Sequence, residues 1–395
     1  MRYEFMTAGR IVVGPGSAAD LPGLLATVGR RALLVVGRGA VARGGPAADL
    51  ARRLAESGLV GATFTAGGEP DIAAVEAAAR MARESGCDMA LGIGGGSVLD
   101  SAKAAAALAA NDGGALDYME VVGAGKPLER AALPVVAVPT TAGTGSEVTR
   151  NAVVAAPQFR AKASIRHASL LPRLALVDST LTHDLPPSVT AGSGLDALTQ
   201  LIEPYVSRRA QPISDGLCLE GIARAAWALP RAYRQPDDAA AREAMATASL
   251  LSGLALANAG LGAVHGIAAS LGGAYPAPHG AACAALLPHV TAINIRALRR
   301  RDPTGPALPR YARAAETLLG RAGATPDDLV AALHELVAEL SIPLLSAYGL
   351  TEADVPELAA QAAQASSTRA NPIELTVEEL AEAIAAALYS QKQNY

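Results

Sequence analysis

Three groups of residues in this chain have types and spacings that could do chemistry. The first is Gly94-Gly95-Gly96-Ser97-Val98-Leu99-Asp100-Ser101-Ala102-Lys103. Glycines let a backbone approach a phosphate closely, and the free N–H groups of a first helical turn point at it. Lys103 stands one turn into the expected helix and is one of only four lysines in the chain, so it reads as a chosen cation. The second group is Pro139-Thr140-Thr141-Ala142-Gly143-Thr144-Gly145-Ser146-Glu147, rich in hydroxyls and glycine. Such a loop can offer side-chain and backbone donors to a ligand.

The third group is dispersed. Asp196 sits four residues before Gln200, His265 lies before Gly266, and His279 lies before Gly280. A carboxylate and two imidazoles suit a divalent ion, and three protein ligands leave a position open for substrate. Spacing alone does not separate such histidines from hydrogen-bonded core histidines. His167, His183, His289 and His334 are read as core, and so are Trp227 and the few other aromatics. Cys87, Cys218 and Cys283 are far apart and lack paired spacing. They read as reduced, mostly buried thiols of a cytosolic protein.

The elements that must position these groups follow from the apolar pattern. Strands are expected over 31–36, 60–64, 89–93 and 133–138, and helices over 46–56, 72–84 and 99–110. This alternation implies a largely parallel sheet with helices on both faces. Ligands of such sheets bind beyond the carboxyl ends of the strands, where Gly94 falls. The G-x-G-x-x-G pattern is absent at the first strand turn. After Asp184-Leu185-Pro186-Pro187 helical periodicity takes over, ending in a helix at 378–389. The expected domains are 1–184 (α/β) and 185–395 (helical).

The chain has 395 residues, of which 51% are hydrophobic and 18% charged, with a net charge of −4. No basic face is implied, which argues against nucleic acid as a partner. The N-terminus has no charged-then-apolar leader, so a cytoplasmic location is expected. From Ala244 to Ile295 there is no Asp, Glu, Lys or Arg. That run is long enough to cross a bilayer, but its Asn258, His265, His279, prolines and glycines read as interior helices, with no membrane partner. Buried polar groups cost free energy unless used, so the polar residues in this run matter most.

Taken together, the segments resemble the iron-containing (group III) alcohol dehydrogenases over nearly the whole chain. The resemblance rests on Gly94–Lys103, Pro139–Glu147, Leu171-Pro172 with Val177-Asp178, Gly194–Ala197, His265-Gly266, His279-Gly280 and Asn371-Pro372. It implies an α/β dinucleotide-binding domain followed by an all-helical domain, the dehydroquinate synthase-like architecture. It implies hydride transfer between a nicotinamide and a small aldehyde or primary alcohol, assisted by a divalent metal, Fe²⁺ or Zn²⁺. Gly95, Gly96 and Ser97 would hold the cofactor pyrophosphate, with Gly94 and Asp100 also in the cofactor-binding set. Thr140, Thr141 and Thr144 would meet the nicotinamide half, and Lys162 its ribose. Asp196, His265 and His279 would hold the metal and serve catalysis, and a homodimer or larger homo-oligomer is implied.

Two departures from the family pattern stand out. A histidine usual four residues after the aspartate is here Gln200, which shares the helix face of Asp196 but offers a poorer ligand atom. A further histidine found in many members is here Ala269. NAD-selective members carry an acidic residue after the 31–36 strand, whereas this chain reads Gly37-Arg38-Gly39. No carboxylate there repels a 2′-phosphate, and Arg38 or Arg43 could pair with one, so NADP is favoured over NAD. The proton donor stays open among solvent, a ribose hydroxyl and His183. Gln200 also leaves open a metal-independent reductase of the maleylacetate kind and a non-catalytic dinucleotide-binding protein.

Overall fold

The computed structural model describes residues 2–389. They form two compact units, each described by itself. The first, Met6–Leu185, holds strands β1 (Ile11–Val13), β2 (Ala32–Gly37), β3 (Val60–Ala66), β4 (Met89–Gly94), β5 (Val135–Pro139), β6 (Asn151–Ala156), β7 (Ala161–Arg166) and β8 (Leu174–Val177). Its helices are α1 (Leu21–Leu25), α2 (Arg38–Arg43), α3 (Pro46–Glu56), α4 (Ile72–Glu84), α5 (Gly96–Ala110) and α6 (Ala115–Tyr118).

Six strands form one sheet in the order β1-β8-β5-β4-β2-β3, every neighbouring pair parallel. β6 and β7 form a separate antiparallel pair. Strands β4 and β5 are buried along their whole length, as expected of strands covered on both faces. Leu33, Val35, Val75, Ala78 and Ala105 form the core on one face of the sheet, with α4 and α5. Leu21, Leu25, Leu34, Leu50 and Leu54 form it on the other, with α1 and α3. The chain runs from β2 outward to β3, then returns to β4 on the far side of β2. The strand order therefore reverses at the carboxyl ends of β2 and β4, where an open α/β sheet binds its ligand.

The expected strands and helices are found with ends shifted by at most three residues; α3 and α4 match at both ends, and the largest shift is at α5, which begins at Gly96. Seven elements of this unit lie outside the expectation: strands β1, β6, β7 and β8 and the short helices α1, α2 and α6. β1 has three residues and β8 four, too few to show a period.

The second unit runs from Pro186 and includes residues 2–5; Gln211 Nε2 donates to the Glu4 carbonyl at 3.3 Å. The expected division at 184/185 differs by one residue and by this N-terminal segment. Its α-helices are α7 (Pro187–Val206), α8 (Pro212–Arg234), α9 (Ala239–Ala259), α10 (Ala263–Gly272), α11 (His279–Arg301), α12 (Ala307–Leu319), α13 (Pro326–Glu339), α14 (Val355–Gln364) and α15 (Val377–Leu388). The charge-free run is divided among α9, α10 and α11, with a 99° bend between the first two. By length and composition α11 could cross a bilayer. Here it packs against α7, α10, α13 and α15 and is buried over most of its length.

Trp227 corrects the sequence reading. It was expected in the core and is 46% exposed. The buried stripe of α8 runs through Cys218, Ile222, Ala225, Leu229 and Ala232, and Trp227 lies off it. Tyr3, Phe159 and Tyr389 are likewise exposed.

Candidate active site

In the first unit the glycine run does what its residue types suggest. The first amides of α5 with an intrahelical partner are those of Val98 and Leu99, which donate to the Gly95 carbonyl at 2.9 and 3.1 Å. The amides of Gly96 and Ser97 precede them and remain for a ligand. The threonine loop is tied to the same place, since Thr140 N donates to the Gly94 carbonyl at 3.0 Å. A Cβ on Gly96 would stand 2.7 Å from Thr144 Cγ2. Glycine is thus required for the loop to lie against the start of the helix. Gly37, at the end of β2, faces Val98 of this turn. The structure brings Gly37, Gly94, Gly95, Gly96, Thr141 and Thr144 together at the switch point.

Two charged residues of this motif are engaged with the threonine loop and the segment after it. Lys103 is fully buried and does not face the free amides. Its ammonium donates to Ser146 Oγ at 2.8 Å, Thr149 Oγ1 at 2.9 Å and the Asn151 carbonyl at 3.1 Å. All three donors are used, so it ties the loop down from beneath. Burial pulls Lys103 down to about 8, opposed by the carboxylates of Asp100 and Glu147. Burial also pushes Glu147 up to about 7. Asp100, expected beside the cofactor, has both oxygens engaged: Oδ1 accepts from Ser146 Oγ at 2.6 Å and Oδ2 from Val153 N at 3.0 Å. It positions the loop. Arg38 is exposed at the head of α2, with Nη2 over Gly67 beyond the end of β3. Lys162 Nζ lies 3.2 Å from Glu69 Oε2.

The second unit gathers the dispersed ligands. α7 carries Asp196, α10 carries His265, and α11 begins at His279. A Cβ on Gly280 would overlap the Gly192 carbonyl. Only glycine there lets the start of α11 approach α7 closely enough to bring His279 to Asp196. Nε2 of His265 lies 3.4 Å and Nε2 of His279 3.8 Å from Asp196 Oδ1. A fourth group joins them: Cys283 Sγ lies 3.6 Å from His279 Nε2. One donor atom from each of Asp196, His265, His279 and Cys283 falls within 4.8 Å of all the others.

These donors fit a divalent ion on an observation of their own. Asp196 Oδ1 and His265 Nε2 are buried and make no hydrogen bond. Orphaned buried polar atoms are rare because each costs the loss of its water; here they converge on one point. Burial pushes Asp196 up, but the facing His279, His265 and Cys283 outweigh it and hold the carboxyl below its usual range. His279 is raised to about 9, first by the Cys283 sulfur and then by Asp196, against burial. His265 lies well above its usual value although burial opposes this, with Cys283, Glu203 and Asp196 raising it. The cluster thus attracts positive charge, which protons or a metal can supply.

Gln200 corrects the expected ligand set. Its Nε2 donates to Asp196 Oδ2 at 3.0 Å, and its Oε1 accepts from Ser252 Oγ at 3.0 Å. The amide oxygen is spent on Ser252, so Gln200 orients Asp196 and leaves Oδ1 toward the histidines. Sequence reasoning missed two residues. Cys283 follows His279 by four on one helix, and Glu203 follows Asp196 by seven; both spacings return to the same helix face. Glu203 Oε2 lies 2.6 Å from His265 Nδ1, and its Oε1 accepts from Val264 N at 2.8 Å.

A dinucleotide-type sheet with its amides free at the switch point, joined in one chain to a helical unit built around a carboxylate–imidazole cluster, defines a metal-dependent, dinucleotide-using dehydrogenase. Comparison with known proteins agrees. Residues 8–179 match the model of the iron-containing alcohol dehydrogenases, and residues 190–388 that of the family's C-terminal domain. The chain is 37% identical over 380 residues to the probable alcohol dehydrogenase EutG of Escherichia coli, covering 95% of this chain and 92% of that one. It is 34% identical over 387 residues to the NAD-dependent methanol dehydrogenase of Bacillus methanolicus, covering 95% and 97%. A crystal structure of 1,3-propanediol oxidoreductase superposes with a TM-score of 0.88 at 31% identity, covering 98% and 100%. The chain belongs to the iron-containing alcohol dehydrogenase family. It is an NAD(P)-dependent oxidoreductase that interconverts alcohols and aldehydes by hydride transfer.

Proposed function

We propose that this enzyme reduces a small aldehyde, or oxidises the matching primary alcohol, with NADP favoured over NAD and with Asp196, His265 and His279 holding the metal. The observation that carries the metal assignment is the convergence of the orphaned Asp196 Oδ1 and His265 Nε2 with His279 Nε2. A bound divalent ion supplies Lewis acidity toward the substrate oxygen. Glu203 fixes the His265 ring so that Nε2 faces the site, and Gln200 does the same for Asp196. The amides of Gly96 and Ser97 receive the pyrophosphate, and Thr140, Thr141 and Thr144 shape the loop over it. Lys162, steadied by Glu69, is assigned to the nicotinamide ribose.

The preference for NADP rests on Gly37-Arg38 at the end of β2. An acidic residue at this point of the fold would bind the ribose 2′-hydroxyl, and an arginine accommodates a 2′-phosphate. The test is kcat/KM for NADPH and NADH on the metal-loaded enzyme, beside Arg38→Asp. NADPH should be favoured by the wild type. The variant should lose roughly tenfold or more of that preference, the worth of one charge-assisted hydrogen bond. A wild type that strongly favours NADH would refute the assignment.

A further inference from the structure

We infer that Cys283 is the fourth protein ligand of the metal, and that the chain holds zinc in a tetrahedral site of one carboxylate oxygen, two imidazole nitrogens and one thiolate, which admits substrate by expanding to five-coordinate. This rests on the metal reading above and goes beyond it.

The first argument is geometric. With zinc–nitrogen and zinc–oxygen bonds of about 2.0–2.1 Å and a zinc–sulfur bond of about 2.3 Å, a tetrahedron has edges of about 3.3–3.4 Å between nitrogen or oxygen atoms and about 3.6 Å between nitrogen and sulfur. The sulfur edge from His279 Nε2 to Cys283 Sγ is 3.6 Å. The edges from Asp196 Oδ1 to the two imidazoles are 3.4 and 3.8 Å. These three edges are close to tetrahedral length, and all four donor atoms lie within 4.8 Å of one another.

The second argument is elimination of the rival fourth ligand. Gln200 occupies the place where a nitrogen ligand would be expected, but its oxygen accepts from Ser252 and its nitrogen donates to Asp196. The atom it turns toward Asp196 is thus the amide nitrogen, a hydrogen-bond donor with no lone pair to offer an ion, while the oxygen is turned to Ser252. Cys283 is buried, one turn beyond His279, with its sulfur turned into the cluster. A thiolate is a soft donor, and a site that mixes sulfur with imidazole in tetrahedral array selects zinc over iron(II).

The experiment uses the full-length protein, Cys283→Ser and Cys283→Ala, each stripped with chelator and reloaded with cobalt(II) or zinc(II) alone. Cobalt-loaded wild type should show the near-ultraviolet sulfur-to-cobalt charge-transfer band together with intense tetrahedral visible bands. Both variants should lack the charge-transfer band. Zinc affinity, measured by chelator competition, should fall by more than roughly 100-fold in Cys283→Ala, beyond the loss typical of an outer-shell change. Stoichiometric cobalt without that band, or variant affinity within about threefold of wild type, well under 1 kcal/mol, would overturn the cysteine assignment while leaving the metal reading intact. A wild type that retains neither cobalt nor zinc would take down both. Should a variant fail to fold, the wild-type cobalt spectrum decides alone.

Discussion

Nδ1 of His265 lies 2.6 Å from Oε2 of Glu203. The ring can donate only if Nδ1 carries the proton, which leaves the Nε2 lone pair facing Asp196 and His279. Glu203 also caps the start of α10 through the Val264 amide, so one carboxylate sets both the helix position and the ring tautomer. Outer-shell carboxylates of this kind are typically worth 10–100-fold in metal affinity. Glu203→Gln should therefore weaken zinc binding by roughly 10–100-fold, with the fold retained because the amide oxygen still caps Val264. Chelator competition reads the change, and an unaltered affinity would show that the ring is oriented without Glu203.

The second prediction concerns the start of α5. A Cβ on Gly96 would meet both Cγ2 and Oγ1 of Thr144 inside van der Waals contact. Gly96→Val must push the loop off the helix end or turn its own amide away, and either disturbs the phosphate cradle. Fluorescence titration with NADPH should show binding weakened by roughly tenfold or more, about 1.4 kcal/mol. Zinc binding, which depends on the other unit, should not change. Equal nucleotide affinity in this variant would place the pyrophosphate elsewhere.

Lys103 gives the third. Its ammonium is buried with three acceptors, and Asp100 Oδ1 lies 3.9 Å away. Lys103→Met keeps the volume but leaves Asp100 without a nearby cation and the Ser146–Asn151 segment without its tether. Removing one partner of a buried charge network costs about 3–5 kcal/mol. Urea unfolding should show a loss of that order, together with poorer NADPH binding. A variant as stable as wild type would mean that the segment is held by Asp100 alone.

Much of this was legible in the sequence, for a physical reason. Strands β2, β4 and β5 are buried along nearly their whole length, so they read as continuous apolar runs. Asp71 accepts from Ala74 N as the N-cap of α4, and Pro46 opens α3; both ends show in the residue types. The β6-β7 pair was not legible. It is rich in alanine, which carries no strand signal. The cluster was half legible. Asp196, His265 and His279 stood out as polar residues in apolar surroundings, whereas Cys283 passed for another small buried residue. Lys103 misled because a cation beside a glycine turn has two uses, and only the fold shows that its amine runs beneath the loop. Gln200 could not be resolved by type, since an amide can ligate or donate, and Ser252, 52 residues away, decides which.

The last prediction is a pH dependence within the helical unit. His289 on α11 and His334 on α13 meet edge to face, with ring centroids 4.9 Å apart. Burial, then the neighbouring imidazole, lowers His289 to about 4 from an ordinary 6.5. Burial lowers His334 as well, and its buried Nε2 makes no hydrogen bond. A group depressed in the folded state contributes its stability in full above the unfolded value, and loses it as pH falls toward the folded one. Between pH 6.5 and 4 the unfolded chain therefore takes up a proton that the folded chain refuses. Stability should fall across that window by about 2 kcal/mol on account of His289, allowing for its partial exposure. His289→Phe fills the same space with a ring that cannot titrate. Urea unfolding of both proteins at pH 7 and pH 4.5, in the same chelator-containing buffer, isolates this term because metal loss is common to both. The variant should lose less stability than wild type on acidification; equal losses would assign the acid sensitivity to other groups.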